Sequence, residues 1–270
     1  MEGPDIEAYF RRIGYQGGRE APLETLDALL ARHICAIPFE NVSVLLEHPM
    51  PLDVASLERK LVHSRRGGYC FEQNGYLLAV LTSLGYATTP LSARVRWQQP
   101  RTAVPPRTHL FVRVDIDGVP WMADVGIGGL SVGKALRMDM SEDQATPWET
   151  RRLESGPGLT YHRVLFGPDW ADVTEYTGEP MPVIDREIAN WWTSTNSASK
   201  FRLNLSAALA ASGGERRTLL NREFIVRRYG LVVERRLLAS PAELVQLLGD
   251  AFAIEVPPGA ELRAPNLSWD

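Results

Sequence analysis

Up to Gly85 the apolar residues of this chain recur every three or four positions; beyond it they alternate. That change of period predicts an α+β fold, helical first and mostly antiparallel strand afterwards. In the first part, Asp5 caps a short helical segment through Arg12, and the run from Pro22 to Cys35 carries Leu23, Leu26, Leu29 and Leu30 on one stripe. Asp53 precedes a third segment, Val54 to His63, with Leu57 and Leu61 in phase. A fourth begins near Cys70, where Tyr76, Leu77, Val80, Leu81 and Leu84 repeat at helical spacing. Four such segments make a small bundle. Between the second and third lies Ile37-Pro38-Phe39-Glu40-Asn41, read as an apolar loop in which Phe39 either lines a pocket or fills core.

After Gly85 the alternating runs are Leu91 to Trp97, Thr108 to Ile116 and Val119 to Val125, the last two joined by Asp117-Gly118. Asp-Gly between alternating segments is a strong signal for a two-residue hairpin turn. With those two residues as the turn, Ile116 faces Val119, His109 falls opposite Gly126, and Phe111 falls opposite Asp124. His109 and Asp124 then share a face as diagonal neighbours, roughly 7–8 Å apart at the backbone and within side-chain reach. One more turn residue would put them on opposite faces. Tyr161 to Phe166 and Val173 to Tyr176 extend the sheet, and Lys134 to Gly158, polar and broken by Gly and Pro, reads as a long loop.

The last third reads as a separate small lobe. Leu203 to Ala211, Leu219 to Arg227 and Leu231 to Leu238 are predicted strands, and Ser240-Pro241-Ala242-Glu243 opens a helix with a capping box and Pro at its first position. Gly259 to Asp270 is expected to be peripheral.

Composition narrows the function classes. At 44% hydrophobic and 23% charged over 270 residues, the chain suits a soluble globular protein with a sizeable core. Met1 to Phe10 is polar and acidic and no apolar run approaches about 18 residues, so neither a secretory leader nor a membrane anchor is expected and the compartment reads as cytoplasmic. Two cysteines, Cys35 and Cys70, are expected as free thiols there. A net charge of −4 leaves no basic footprint for nucleic acid. No metal-spaced Cys/His cluster, internal repeat or heptad run is present.

The chemistry points to Ser64-Arg65-Arg66-Gly67-Gly68-Tyr69-Cys70-Phe71, where two glycines deliver a cysteine into the first turn of a helix. Free N–H groups and the positive end of the helix dipole favour an anion there, and the thiolate is the nucleophilic form of cysteine. By itself Cys70 reads equally as a nucleophile or as a small buried hydrophobe. His109 and Asp124 tip the balance, because a carboxylate that orients an imidazole completes a nucleophile–base–orienter set. Of the other histidines, His33, His48, His63 and His162 have no acidic partner that the sequence places. After Asp124 comes Val125-Gly126-Ile127-Gly128-Gly129-Leu130, either a backbone cradle for phosphate or a plain glycine-rich turn. No helix follows it in a strand–helix–strand unit, so it is not a dinucleotide fingerprint.

Arg66-Gly67-Gly68-Tyr69-Cys70-Phe71-Glu72-Gln73-Asn74 resembles the active-site signature of the arylamine N-acetyltransferases. Ile37-Pro38-Phe39-Glu40-Asn41, Thr108-His109-Leu110 and Asp124-Val125-Gly126 are similar too, and the likeness runs in the family's order from Arg12-Ile13-Gly14-Tyr15 to Asn190-Trp191-Trp192-Thr193-Ser194-Thr195 and Phe201. The resemblance implies an N-terminal helical bundle (1–85), a central antiparallel β-barrel (86–195) and a C-terminal α/β lid (196–270) around a cysteine-protease-like catalytic core. It implies a Cys70, His109, Asp124 triad and acetyl-CoA as acetyl donor, without a metal. Phe39, Val95 and Phe201 would stand near the acceptor, and Thr108, Gly126, Gly128 and Gly129 near the coenzyme. The acceptors implied are arylamines, hydrazines or N-hydroxyarylamines, foreign compounds among them.

The expected reaction is two-step acyl transfer through an acetyl-cysteine, with the Cys70 N–H as one oxyanion donor. Two alternatives stay open on the sequence: a cysteine hydrolase or amidase with water as acceptor, and a binding protein in which Cys70 is only core. Partners are small molecules and coenzyme A, with no nucleic acid or membrane expected; the sequence does not set the oligomeric state.

Overall fold

The computed structural model describes residues 3–269; Met1, Glu2 and Asp270, which belong to terminal segments read above, lie outside the described residues. Two of the early helices begin at an aspartate whose side chain satisfies a free N–H group. Helix α1 (Ile6–Ile13) starts at Asp5, which accepts from the Ala8 N–H at 2.9 Å, and stops at Gly14 with φ of 68°. α2 (Leu23–Ala36) presents the leucine stripe. The segment expected as a loop instead holds strand β1 (Phe39–Glu40), followed by the single turn α3 (Val42–Leu45). α4 (Val54–Glu58) starts at Asp53, which accepts from Ser56 N–H at 2.9 Å. It widens into a π turn over Arg59–His63, where the Ser64 N–H reaches back to the Arg59 carbonyl. α5 (Cys70–Ser83) follows the two glycines as expected.

Tyr9, Leu26, Leu30, Leu61, Tyr76, Leu77 and Val80 are all fully buried in one cluster, joined there by Val112, Val114 and Ala123 from the strands behind α5. Burying each such side chain contributes about 1.5–3 kcal/mol. The helices therefore have no core of their own; they share it with the sheet that carries His109.

That sheet has eight antiparallel strands: β2 (Ala87–Val95), β3 (His109–Ile116), β4 (Val119–Ala123), β5 (Leu136–Arg137), β6 (Gln144–Ala145), β7 (Thr150–Gly156), β8 (Leu159–Phe166) and β9 (Asp169–Tyr176). Their order is β5-β4-β3-β2-β9-β8-β7-β6. The two end strands nearly meet. Across the seam the Gln144 side-chain amide accepts from the Arg137 N–H at 2.7 Å and donates to the Arg137 carbonyl at 3.0 Å, almost closing a barrel. Inside lie Leu91, Ala93, Phe111, Met122, Leu136 and Leu153, all buried.

The β3–β4 hairpin has the expected register, Ile116 against Val119 and Val112 against Ala123. Asp117 and Gly118 both take positive φ, 51° and 78°, as a tight hairpin turn of matching twist requires. The expected long loop between Lys134 and Gly158 is corrected: it contains β5, β6 and the seven-residue β7. The alternation of β7 is disguised because Arg151, fully buried, occupies an inward position that a sequence reader assigns to solvent.

Helices α6 (Val183–Thr195) and α7 (Lys200–Leu203) lead to β10 (Ser206–Ala211), β11 (Glu215–Leu220), β12 (Glu223–Arg228), β13 (Leu231–Leu237) and α8 (Pro241–Phe252). The expected single strand from Leu219 to Arg227 is two strands, because Asn221 adopts φ of 53° and turns the chain between Leu220 and Glu223. Asparagine is among the few residues that tolerate this conformation. Leu203 closes a helix rather than opening a strand. Ser240 caps α8 by accepting from the Glu243 N–H at 3.2 Å, and Leu244, Leu247, Leu248 and Phe252 cover Leu205, Ala207, Leu219 and Phe224. The tail is not peripheral throughout. Leu267 is buried in this cluster and the Asn266 N–H donates to Leu203 at 3.0 Å.

This second sheet has the order β1-β10-β11-β12-β13, with Phe39 opposite Ala208 and Glu40 opposite Ala207. The C-terminal lobe is thus stitched into the first part of the chain beside the Cys70 signature. Among the described residues no helix is long and apolar enough to cross a membrane.

Candidate active site

The two glycines before Cys70 are demanded by close packing. A Cβ at Gly67 would overlap the Pro38 carbonyl, and one at Gly68 would stand 2.7 Å from the Glu72 carboxylate. Without side chains, Gly68 donates to the Pro38 carbonyl at 3.2 Å and accepts from Glu40 N–H at 3.1 Å, pinning β1 against the start of α5. The Gln73 amide clamps the same corner, donating to Gly68 at 2.7 Å and Pro38 at 3.0 Å. Its oxygen pairs with His33 Nε2 at 3.1 Å, and burial pushes that imidazole down to about 3. His33 is therefore a neutral core residue. Glu72 caps α5 by accepting from the Tyr69 N–H at 3.1 Å and pairs with Lys60 at 2.6 Å.

Cys70 is the first residue of α5, 3% exposed, with Sγ 3.5 Å from the Thr108 carbonyl. His109 follows Thr108 at the start of β3, and its Nε2 lies 2.7 Å from Asp124 Oδ2. With Nε2 committed, Nδ1 is the ring atom left for the thiol, which lies within hydrogen-bonding reach of the imidazole. Both His109 and Asp124 are 1% exposed. Burial opposes the imidazolium, but the Asp124 charge, its hydrogen bond and the neighbouring Cys70 sulfur outweigh it and push His109 up to about 10. Burial likewise opposes the Asp124 carboxylate, yet His109 and two further donors hold it below the usual range.

Those donors are Asn74 Nδ2 at 2.8 Å and the Gly126 N–H at 3.0 Å, both on Asp124 Oδ1. Asn74 also donates to the Leu110 carbonyl at 2.6 Å and accepts from Val125 N–H at 2.9 Å, tying α5 to β3 and to the residues after β4. The sequence alone assigns Asn74 no role. Its signal is its place one helical turn after Cys70, on the same face.

The glycine loop runs directly over Cys70. A Cβ at Gly126 would lie 2.7 Å from Cys70 Cα, Gly128 has φ of 65° and faces the Phe39 ring, and a Cβ at Gly129 would strike Thr218 on β11. No side chain caps the turn Gly128–Leu130. Phe39 and Phe201 stand 5.8 Å apart and pack with Tyr69, Leu110 and Met181 around Cys70. Val95, at the end of β2 and paired with Thr174 of β9, is outside that group. Thr108 and Met181 also line a cavity of about 380 Å³ with Ser92, Ala189 and Trp192. Cys35 and Cys70 are both free, and no cluster of His, Cys, Asp or Glu suited to a metal is found among the described residues.

A family model described as N-acetyltransferase matches residues 22–261, which sets the class. An arylamine N-acetyltransferase of Mycobacterium tuberculosis is 38% identical over 256 residues, 93% of this chain and 90% of that protein. The solved arylamine N-acetyltransferase of Mycobacterium marinum superposes with a TM-score of 0.91 at 34% identity, covering 95% of each chain. The same enzyme solved in complex with CoA gives 0.90, also at 34% identity and 95% of each chain. The chain belongs to the arylamine N-acetyltransferase family.

Proposed function

We propose that this chain transfers an acetyl group from acetyl-CoA to arylamines, arylhydrazines or N-hydroxyarylamines through an acetyl-Cys70 intermediate. The observation that carries the reading is the buried His109–Asp124 pair, 2.7 Å apart, set behind a cysteine at a helix start. This is the constellation of a cysteine-protease-like core. The family relationship favours acetyl-CoA as donor, and the turn at Gly128–Leu130, whose N–H groups no side chain caps, suits its phosphates. Acetyl-CoA supplies the acetyl group activated as a thioester.

Three parts of the chain divide the work: 1–85 brings the nucleophile, 86–195 the base and orienter, and 196–270 a lid. The Cys70 thiolate attacks the thioester carbonyl, forming one C–S bond as the other breaks, and His109 gives its proton to the departing thiolate. The Cys70 N–H, unpaired at the helix start, faces the developing oxyanion. An arylamine, neutral at physiological pH, then attacks acetyl-Cys70; His109 takes the amine proton as the amide leaves. Phe39 and Phe201 form the apolar wall for the acceptor ring, with Val95 further along β2. Thr108, Gly126, Gly128 and Gly129 border the donor.

Initial rates over a grid of acetyl-CoA and arylamine concentrations test this. Parallel double-reciprocal lines are expected, whereas intersecting lines, or thioester hydrolysis indifferent to added amine, would overturn it.

A further inference from the structure

Behind the glycine loop lies a second buried polar cluster, which the proposed reaction does not use. Its centre is Glu149, whose side chain is 1% exposed. Arg216 on β11 donates to both Glu149 oxygens, through Nη2 at 2.9 Å and through Nε. Arg151 on β7 donates to the same carboxylate at 2.9 Å and to His162 Nε2 at 3.2 Å. Burial and the neighbouring guanidinium push His162 down to about 3, so it is a neutral acceptor. Two guanidiniums thus share one carboxylate in a dry setting, an arrangement costly in desolvation and poorly explained by stability alone.

The cluster reaches the active site through one more bond. Arg216 Nη2 also donates to the Ser131 carbonyl at 2.8 Å. Ser131, 3% exposed, turns its hydroxyl back to donate to the Val125 carbonyl at 2.9 Å. Next to it the Val132 N–H donates to the Asp124 carbonyl at 2.6 Å. The loop that carries Asp124 is therefore fastened at its far end to a guanidinium from the C-terminal sheet, and on its near side to Asn74 of α5.

We infer that Arg216 is a positioning residue for the His109–Asp124 pair: from β11 it clamps the Ser131 carbonyl to Glu149 and so sets where the Asp124 carboxylate stands. The C-terminal lobe then belongs to the catalytic apparatus, and is more than a cover over it. Thr218, two residues on and on the same face of β11, meets Gly129 of the same loop. Arg217 faces the other way, to Glu215 at 2.9 Å and the Ala251 carbonyl at 3.3 Å. The inference rests on the Cys70–His109–Asp124 reading above.

Labelling of Cys70 by iodoacetamide at neutral pH tests it without either substrate, beside acetyl transfer measured on the same variants. Arg216→Met leaves Glu149 paired with Arg151 but frees the Ser131 carbonyl. Labelling and kcat should each fall about tenfold or more, the size expected for losing a charge-assisted hydrogen bond. Arg216→Lys, which still offers a cation to that carbonyl, should recover part of the loss. Ser131→Ala deletes one hydroxyl and should slow labelling severalfold even if Arg216→Met fails to fold. Arg217→Met, on the opposite face, should label as wild type. Wild-type labelling rates in Arg216→Met and Ser131→Ala, or equal slowing in Arg217→Met, would overturn the inference. Wild-type Cys70 that labels no faster than Cys35 would overturn the triad reading itself, and the inference with it.

Discussion

Replacing Asp124 by Asn changes one atom in a site where every neighbour has a fixed role. The amide oxygen can still accept from Asn74 and the Gly126 N–H, which now meet Oδ1 at 2.8 and 3.0 Å, so the loop should keep its place. The amide nitrogen then meets His109 Nε2, donor against donor across 2.7 Å. His109 resolves this by moving its proton to Nδ1, the atom facing Cys70, where it can no longer accept the thiol proton. The charge is lost as well. Against the opposing effect of burial, that charge and its hydrogen bond lead the contributions that hold the imidazolium up to about 10, so without them the charged ring is no longer stabilised. Acetyl transfer should accordingly fall by roughly 10³- to 10⁴-fold, the upper figure being that known for the corresponding change in a serine-protease triad. The assay is arylamine acetylation by the purified variant, with near-ultraviolet circular dichroism to show an intact fold. A folded variant with more than a tenth of wild-type turnover would refute the orienter role.

The same pair fixes a pH dependence. Because His109 is raised and Asp124 lowered, the ion pair adds stability below about 6.5 that fades as pH climbs to about 10, and on the acid side it is lost only below the usual carboxylate range. Thermal melts should therefore show the wild-type advantage over Asp124→Asn largest near pH 6 and much reduced at pH 10; an advantage that grows with pH would contradict the charge assignment. Asn74→Ala removes one donor from Asp124 and the brace to Leu110, and should cut kcat about 10- to 100-fold for the roughly 1.5–3 kcal/mol of a hydrogen bond to a charged group. Turnover within twofold of wild type would remove Asn74 from the site. Gly126→Ala places a Cβ 2.7 Å from the Cys70 backbone, so thermal melts should report a loss of about 1–3 kcal/mol of overpacking, with kcat reduced for every donor. An effect on the Michaelis constant for acetyl-CoA alone would show the glycine serving the ligand and not the packing.

The pairing of His109 with Asp124 was legible because a two-residue Asp-Gly turn leaves no freedom in register: once Ile116 faces Val119, His109 and Asp124 must share a face. The helix at Cys70 was equally open to reading, since its apolar stripe and its cap both lie within a few residues of it. What escaped depends on partners remote in the chain. Strand β1 exists only because Ala207 and Ala208 lie beside it, and nothing in Phe39-Glu40 marks that pairing. β7 was hidden by Arg151, a buried charge whose stabilising carboxylate, Glu149, is recognisable only when Arg216 is also in place. The turn at Asn221 lacked the glycine that usually signals one. Asn74 carried no chemical label, because its three hydrogen bonds to the β3–β4 hairpin and the residues after it come from packing alone.

The central claim is a covalent acetyl on Cys70. Incubating the protein with acetyl-CoA in the absence of amine, quenching in acid and measuring intact mass should show a single added acetyl group. Peptide mapping should place it on Cys70, and added arylamine should discharge it with formation of the amide. An acetyl found on Cys35 or on a lysine, or a Cys70→Ser variant that keeps substantial transfer, would contradict the account.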